Sequence, residues 1–218
     1  MKYKAVLFDF DYTLGDSTEP IVESYTVGLT GMGLPAPDRE AVRATIGHTL
    51  ENGYTMVTGD QSEENRLEFY HRFKAHASQI MIRDSVLCPG AEEVLGWLKS
   101  AGVRTGLVST KGSDQIAGIF AKYDLCDGLF PIIGGQDVTR NKPDPEGLNL
   151  ALERLELSKD EVLFCGDTVI DAETAQRAGV DFCAVLNGTT PAEAFAAFPH
   201  VHVAPDLADL LVWLKTLH

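Results

Sequence analysis

Ala5-Val-Leu-Phe-Asp9-Phe-Asp11-Tyr-Thr-Leu14 opens with an apolar run that stops where two acids begin. The run is too short for a helix and reads as a buried strand. Carboxylates at i and i+2 on an extended chain project to the same side. Asp9 and Asp11 are therefore expected to meet at a strand end, where open α/β sheets place their ligands. Two anions brought together cost energy unless a cation or a shared proton relieves them. A solvated strand end with two surface acids would carry the same pattern, so the rest of the chain has to decide.

Beyond Leu14 the pattern changes. Residues 18–82 contain no strand-like run but several helix-period segments. Glu19–Thr30 is amphipathic, with Pro20 near its start and Gly31-Met-Gly33-Leu-Pro35 at its end. Asp38 caps a helix predicted to run through Ile46, where Gly47 closes it. Leu50–Val57 is a third helix, and Ser62 opens a long one through Ile80. From Pro89 onward, helices (89–100, 113–123, 146–155, 169–178, and from Leu207) alternate with strands (103–108, 130–133, 161–165, 182–186, and an edge strand at 201–203). Such alternation means βαβ units and a parallel sheet. The predicted organisation is an α/β core from residues 1–15 and 85–218, with an all-helical domain, residues 16–84, inserted after the first strand.

Composition bounds the function. A chain of 218 residues with 44% hydrophobic and 23% charged residues has ample apolar surface for a core. A net charge of −14, without any local cluster of Lys and Arg, argues against nucleic acid or an acidic membrane as partner. The four cysteines (Cys88, Cys126, Cys165, Cys183) show no metal-ligand spacing, and Cys165 and Cys183 read as buried packing. No segment approaches a transmembrane length, and the N-terminus enters a strand directly, so a reducing cytoplasmic compartment is expected.

Three further sites fall at the ends of predicted strands. Val108-Ser109-Thr110-Lys111-Gly112 ends one strand and opens a helix, where a hydroxyl and free amides suit phosphate oxygens; Ser109 or Ser113 could equally be a simple cap. Asn141-Lys142-Pro143-Asp144-Pro145 holds a lysine in a proline-stiffened segment. Gly166-Asp167-Thr-Val-Ile-Asp171 is a tight turn and helix start, with Asp167 and Asp171 four apart and so on one face. Four carboxylates beside Lys142 would leave a formal charge of −3. One Mg²⁺ brings that to −1, and a proton on Asp11 brings it to neutrality, so an oxygen-seeking divalent cation is required.

Asp9-Phe-Asp11-Tyr-Thr13, Ser109, Lys142 and Gly166-Asp167-Thr-Val-Ile-Asp171 together resemble the four motifs of the haloacid dehalogenase superfamily, in order and over essentially the whole chain. The helical insert resembles the cap of its phosphoglycolate phosphatase-like branch. The resemblance implies a Rossmann-like core with helices on both faces of the sheet, and a cap that closes over the site. It implies Asp9 as the nucleophile forming an aspartyl-phosphate and Asp11 as general acid and then base. Ser109, Thr110 and Lys142 would hold the phosphoryl group. Mg²⁺ would be bound by Asp9, the Asp11 carbonyl and Asp167, with Asp171 as a ligand or support. His48, in a loop between cap helices, is a candidate substrate contact. Leu67, Phe69, Tyr70 and Phe73 read as cap core, and His71, Arg72 and His76 as a solvated face.

Two positions depart from the family pattern. Tyr12 stands where Gly is usual and would either wall the pocket or pack outward, and Thr110 stands where Asn is usual. The expected activity is hydrolysis of a small phosphate monoester, phosphoglycolate first, by a monomer or homodimer. A β-phosphoglucomutase-like transferase shares the same core. A dehalogenase would need neither an acid at Asp11 nor a metal cluster. A non-catalytic phospho-switch would carry its acceptor after a middle strand and lack such a cap.

Overall fold

The computed structural model describes residues 2–217. Two compact units divide them: residues 2–16 with 87–217, and Ser17–Val86.

The first unit is a six-stranded parallel sheet built from β1 (Ala5–Phe8), β4 (Arg104–Val108), β5 (Leu129–Ile133), β6 (Val162–Gly166), β7 (Asp181–Val185) and β8 (His202–Ala204), in the order β5-β4-β1-β6-β7-β8. Two short strands, β2 (Gly15–Asp16) and β3 (Val86–Leu87), pair where the chain leaves and re-enters this unit. Counting the core strands alone, the order is that of a Rossmann-type sheet, whose switch point lies beside the first strand. All four residues of β1 are fully buried, as expected of a central parallel strand covered on both faces.

The pleat sorts β1 into two cores. Val6 and Phe8 join one apolar cluster with residues of α5 (Ala91–Ser100), α6 (Ser113–Ala121) and α9 (Leu207–Thr216). Ala5 and Leu7 face the other, with α7 (Glu146–Leu155) and α8 (Val169–Ala178). Helices thus cover both faces, and the predicted 201–203 strand is the edge strand β8, shifted by one residue.

The second unit holds α1 (Thr18–Gly31), α2 (Arg39–Arg43), α3 (Leu50–Thr58) and α4 (Glu63–Asp84). Its core is aromatic: Tyr25 lies 4.9 Å from Phe69 and 5.5 Å from Phe73 between ring centroids, and Tyr54 lies 5.2 Å from Phe69. Leu67, expected in this core, is 57% exposed, because the buried stripe of α4 runs through Phe69, Phe73, Ala77, Ile80 and Met81. That stripe also carries α4 beyond Ile80 to Asp84. His71 and Arg72 are exposed as expected, whereas His76 is half-buried and bonds Glu23 at 2.9 Å. α2 stops at Arg43 rather than Ile46. Thr45 Oγ1 turns back to donate to the Val42 carbonyl at 2.7 Å, and Gly47 has φ +101°, so the chain leaves the helix early.

No disulfide joins the cysteines; Cys126 is exposed and the other three are buried. Burial pushes the Cys88 thiol up to about 12 and the Cys165 thiol upward as well. Alkylation at pH 8 is therefore expected to modify one thiol quickly, Cys126, and the others only on unfolding. Rapid labelling of Cys165 or Cys183 in the native protein would contradict the packing of β6 against β7. Among the described residues, no helix is long and apolar enough to cross a membrane.

Candidate active site

The strand order places the sites built from Asp9, Ser109 and Asp167 side by side. The ladder of β1 with β6 continues one residue past the strand, with the Asp9 amide donating to the Cys165 carbonyl at 2.9 Å. Asp167 follows two residues later. On the other side Phe8 pairs with Leu107, so Ser109 comes level with the turn after Asp9.

β1 ends at Phe8, so strand alternation does not set the directions of Asp9 and Asp11. A tight turn does. The Phe10 carbonyl accepts the amides of Thr13, Leu14 and Gly15 at 3.1, 3.0 and 2.8 Å, and the Tyr12 amide donates to the Gly15 carbonyl at 2.6 Å. Gly15 is required here, since a Cβ would stand 2.2 Å from the Phe10 ring. Tyr12 takes φ +56°, a left-handed conformation that costs a non-glycine residue about 1–2 kcal/mol. Its side chain is 5% exposed, so it does not reach outward into solvent.

The two acids then acquire different partners. Asp9, 1% exposed, lies with Oδ1 3.0 Å from Lys142 Nζ, an ionic contact outside hydrogen-bond angles. Asp11 Oδ2 lies 3.2 Å from Lys111 Nζ, and both of those side chains are buried. Lys111 also sits 5.7 Å over the Phe10 ring, within cation–π range.

Lys142 is the hub. Its Nζ donates to Asp171 Oδ1 at 2.5 Å, and its side chain is only 4% exposed. The loop that carries it is clasped by Glu146, whose carboxylate accepts from Thr139 N and Oγ1 at 2.8 Å and from Arg140 N at 3.0 Å. Burial alone would lower the Lys142 pKa, but Asp171 and Asp9 outweigh it and hold the ammonium well above its ordinary value.

Asp167 and Asp171 are not neighbours on one helix face. Asp167 lies in the turn, Thr168 is the N-cap, and Asp171 is the third helical residue of a capping box. Asp171 Oδ2 accepts Thr168 Oγ1 at 2.6 Å and Thr168 N at 3.1 Å, so both its oxygens are engaged. Asp167 receives Thr13 Oγ1 on Oδ1 at 3.4 Å. Burial first, and then the charges of Asp171 and Asp9, push the Asp167 carboxyl well above the usual carboxylate range. Burial raises Asp171 too, against the pull of Lys142.

Around Ser109 the free amides are fewer than the sequence suggests. Ser109 N is spent on the Ile133 carbonyl, Lys111 N on Ser109 Oγ at 3.3 Å, and Ser113 N on Gln136 Oε1 at 3.2 Å. Gly112, rather than Ser109 or Ser113, occupies the cap position of α6. Thr110 is half-buried in the same loop. His48 stands in the helical unit, in the turn between α2 and α3, where burial lowers its pKa.

Reasoning from sequence missed Lys111. Four carboxylates against one lysine was the signal that a second cation was needed, and two lysines leave a formal −2. The residues fit a divalent cation. Asp9, Asp167 and Asp171 each offer an oxygen within 4.8 Å of the others, and Asp9 Oδ1 is buried without a hydrogen bond among the described residues. Mg²⁺ takes oxygen ligands at about 2.0–2.1 Å in an octahedron, which puts such oxygens about 2.9–4.2 Å apart.

The sequence model described as haloacid dehalogenase-like hydrolase matches residues 6–185. The chain belongs to this family. A phosphoglycolate phosphatase of Yersinia pseudotuberculosis is 30% identical, covering 97% of this chain and 94% of that one. One of Rhodospirillum rubrum is 28% identical over 97% and 90%. A solved structure from Bacteroides fragilis, described as a haloacid dehalogenase-like hydrolase, superposes with a TM-score of 0.92 at 38% identity, covering 96% of this chain and all of that one. The resemblance carried by the four motifs is thus borne out, and the chain is a haloacid dehalogenase-like enzyme of the hydrolase class.

Proposed function

We propose that the protein is a Mg²⁺-dependent phosphatase acting on a small phosphate monoester, phosphoglycolate being the leading candidate, through an aspartyl-phosphate. The observation that carries this is the buried cluster of Asp9, Asp167 and Asp171 around the Lys142 ammonium, still short of positive charge. Relatives named for phosphoglycolate hydrolysis, aligned over nearly the whole chain, support the substrate class.

A carboxylate nucleophile needs no base to activate it, and the Asp9 carboxylate oxygen attacks phosphorus. The ester oxygen leaves with a proton from Asp11. Water then attacks the aspartyl-phosphate as Asp11 takes a proton back, releasing inorganic phosphate and restoring Asp9. Lys142, Lys111 and Ser109 face the charge of the transferring group. Asp9 and Asp167, with the Asp11 carbonyl, would hold the metal, and Asp171 keeps Lys142 in place. Mg²⁺, when bound, offsets charge shared by the nucleophile and the phosphoryl oxygens. The unbridged thiols support a reducing, cytoplasmic setting.

The test is phosphate release from phosphoglycolate, sugar phosphates, nucleoside monophosphates and pyrophosphate, with Mg²⁺ and with chelator. Release from a small monoester that stops with chelator is expected. Activity that survives complete chelation, or that requires a sugar bisphosphate and yields no free phosphate, would overturn it.

A further inference from the structure

The loop after β7 lies outside all four motifs, yet it closes on Asp167. At Gly188 a Cβ would stand 2.1 Å from Asp167 Oδ2, 3.0 Å from its Cγ and 3.2 Å from Tyr12 Cβ. Gly188 is not among the residues with positive φ, so space rather than backbone conformation is what excludes a side chain. The neighbouring Asn187 donates from Nδ2 to the Thr13 carbonyl at 3.4 Å, and Thr13 Oγ1 donates to Asp167 Oδ1 at 3.4 Å. One oxygen of Asp167 is therefore met by a hydroxyl whose residue the loop holds, and the other abuts the loop's own backbone. Bonds of 3.4 Å are long and weak, so the wall at Gly188 restrains the carboxylate more than they do. Asp167 itself is buried, with 2% of its surface exposed.

We propose that Asn187 and Gly188 are positioning residues for the Asp167 carboxylate, fixing the place from which it meets a divalent cation. The inference rests on the metal reading of the site. A methyl group at 188 forces the carboxylate or the loop to give by more than an ångström, whereas ligand distances in a metal site tolerate only about 0.2 Å.

Binding of Mn²⁺ to the free protein, without ester, is measured by calorimetry for wild type, Gly188→Ala and Asn187→Ala, alongside Tm in chelator and rate against Mg²⁺ concentration. Gly188→Ala is expected to weaken Mn²⁺ binding at least tenfold and to raise the Mg²⁺ needed for half-maximal rate in parallel. Excess Mg²⁺ should recover most of the lost rate, which a merely structural defect would not allow. Asn187→Ala, which adds no atom, should shift binding severalfold in the same direction. A folded Gly188→Ala that binds Mn²⁺ within twofold of wild type overturns the proposal. If that variant does not fold, unchanged binding by Asn187→Ala overturns it. Wild type failing to bind Mn²⁺ overturns the metal reading as well; wild-type binding with unshifted variants overturns the positioning alone.

Discussion

Asp9→Asn should abolish phosphate release, by about 10⁴-fold or more, as expected when a nucleophile is removed from a group of residues acting as a unit. The same change should leave the metal-free protein at least as stable as wild type. Asn is nearly the same size, and the substitution removes one of three carboxylates crowded within 4.8 Å. The Asp9 charge is among the causes that push the Asp167 and Asp171 carboxyls upward, so its loss relieves both neighbours. Activity and stability are thus expected to move in opposite directions. Steady-state rates with Tm in chelator check the pair of outcomes. Residual activity above a few per cent of wild type would place the nucleophile elsewhere.

Lys142→Met should damage both properties. It withdraws the ammonium from between Asp9 and Asp171, both of them buried. Breaking a buried pair by removing one partner costs about 3–5 kcal/mol, and loss of a charge that stabilises the transferring group costs about 10²–10³ in rate. The folded-state pKa of Lys142 is raised, so its contribution is complete below the unfolded lysine value of about 10.4 and fades only as pH rises through the higher folded value. The stability loss should accordingly be flat from pH 6 to 9. It should also be smaller in Mg²⁺ than in chelator, because the cation replaces part of the missing charge. Denaturant unfolding under those four conditions decides it; a variant as stable as wild type in chelator would show that Lys142 is not what holds the cluster together.

Much of this arrangement is legible in the residues themselves. The Ala5–Phe8 run announces a central strand because a strand covered on both faces can carry no polar residue before its end. The motifs at 109 and 167–171 follow because parallel strands all point their ends the same way, whereas Lys142, expected at a strand end, comes from the long loop between β5 and α7 that Glu146 clasps. The partners of the acids are not legible. Lys111 shares a loop with Ser109 but declares no role until the turn at Phe10–Gly15 aims Asp11 at it. Asp171 reads as a metal ligand by type, and only its hydrogen bonds to Thr168 and Lys142 show how fully it is occupied. Gly188 carries no chemistry at all, so nothing but the closeness of a carboxylate could single it out. In the helical unit, period alone could not separate exposed Leu67 from buried Phe69, since the tertiary contacts choose which stripe is covered.

The placement of β1 has a consequence for how the chain is made. Ala5 pairs with Arg104 on one side and with Val162 on the other, so this strand is synthesised before either neighbour and waits for both. Pairings this distant in sequence are slow to form. The continuous helical unit, Ser17–Val86, has all its own partners at hand long before that. Synthesis should therefore pass through a stage in which the helices are folded while an apolar strand is still unpaired, and it is during that interval that the nascent chain is most exposed to aggregation.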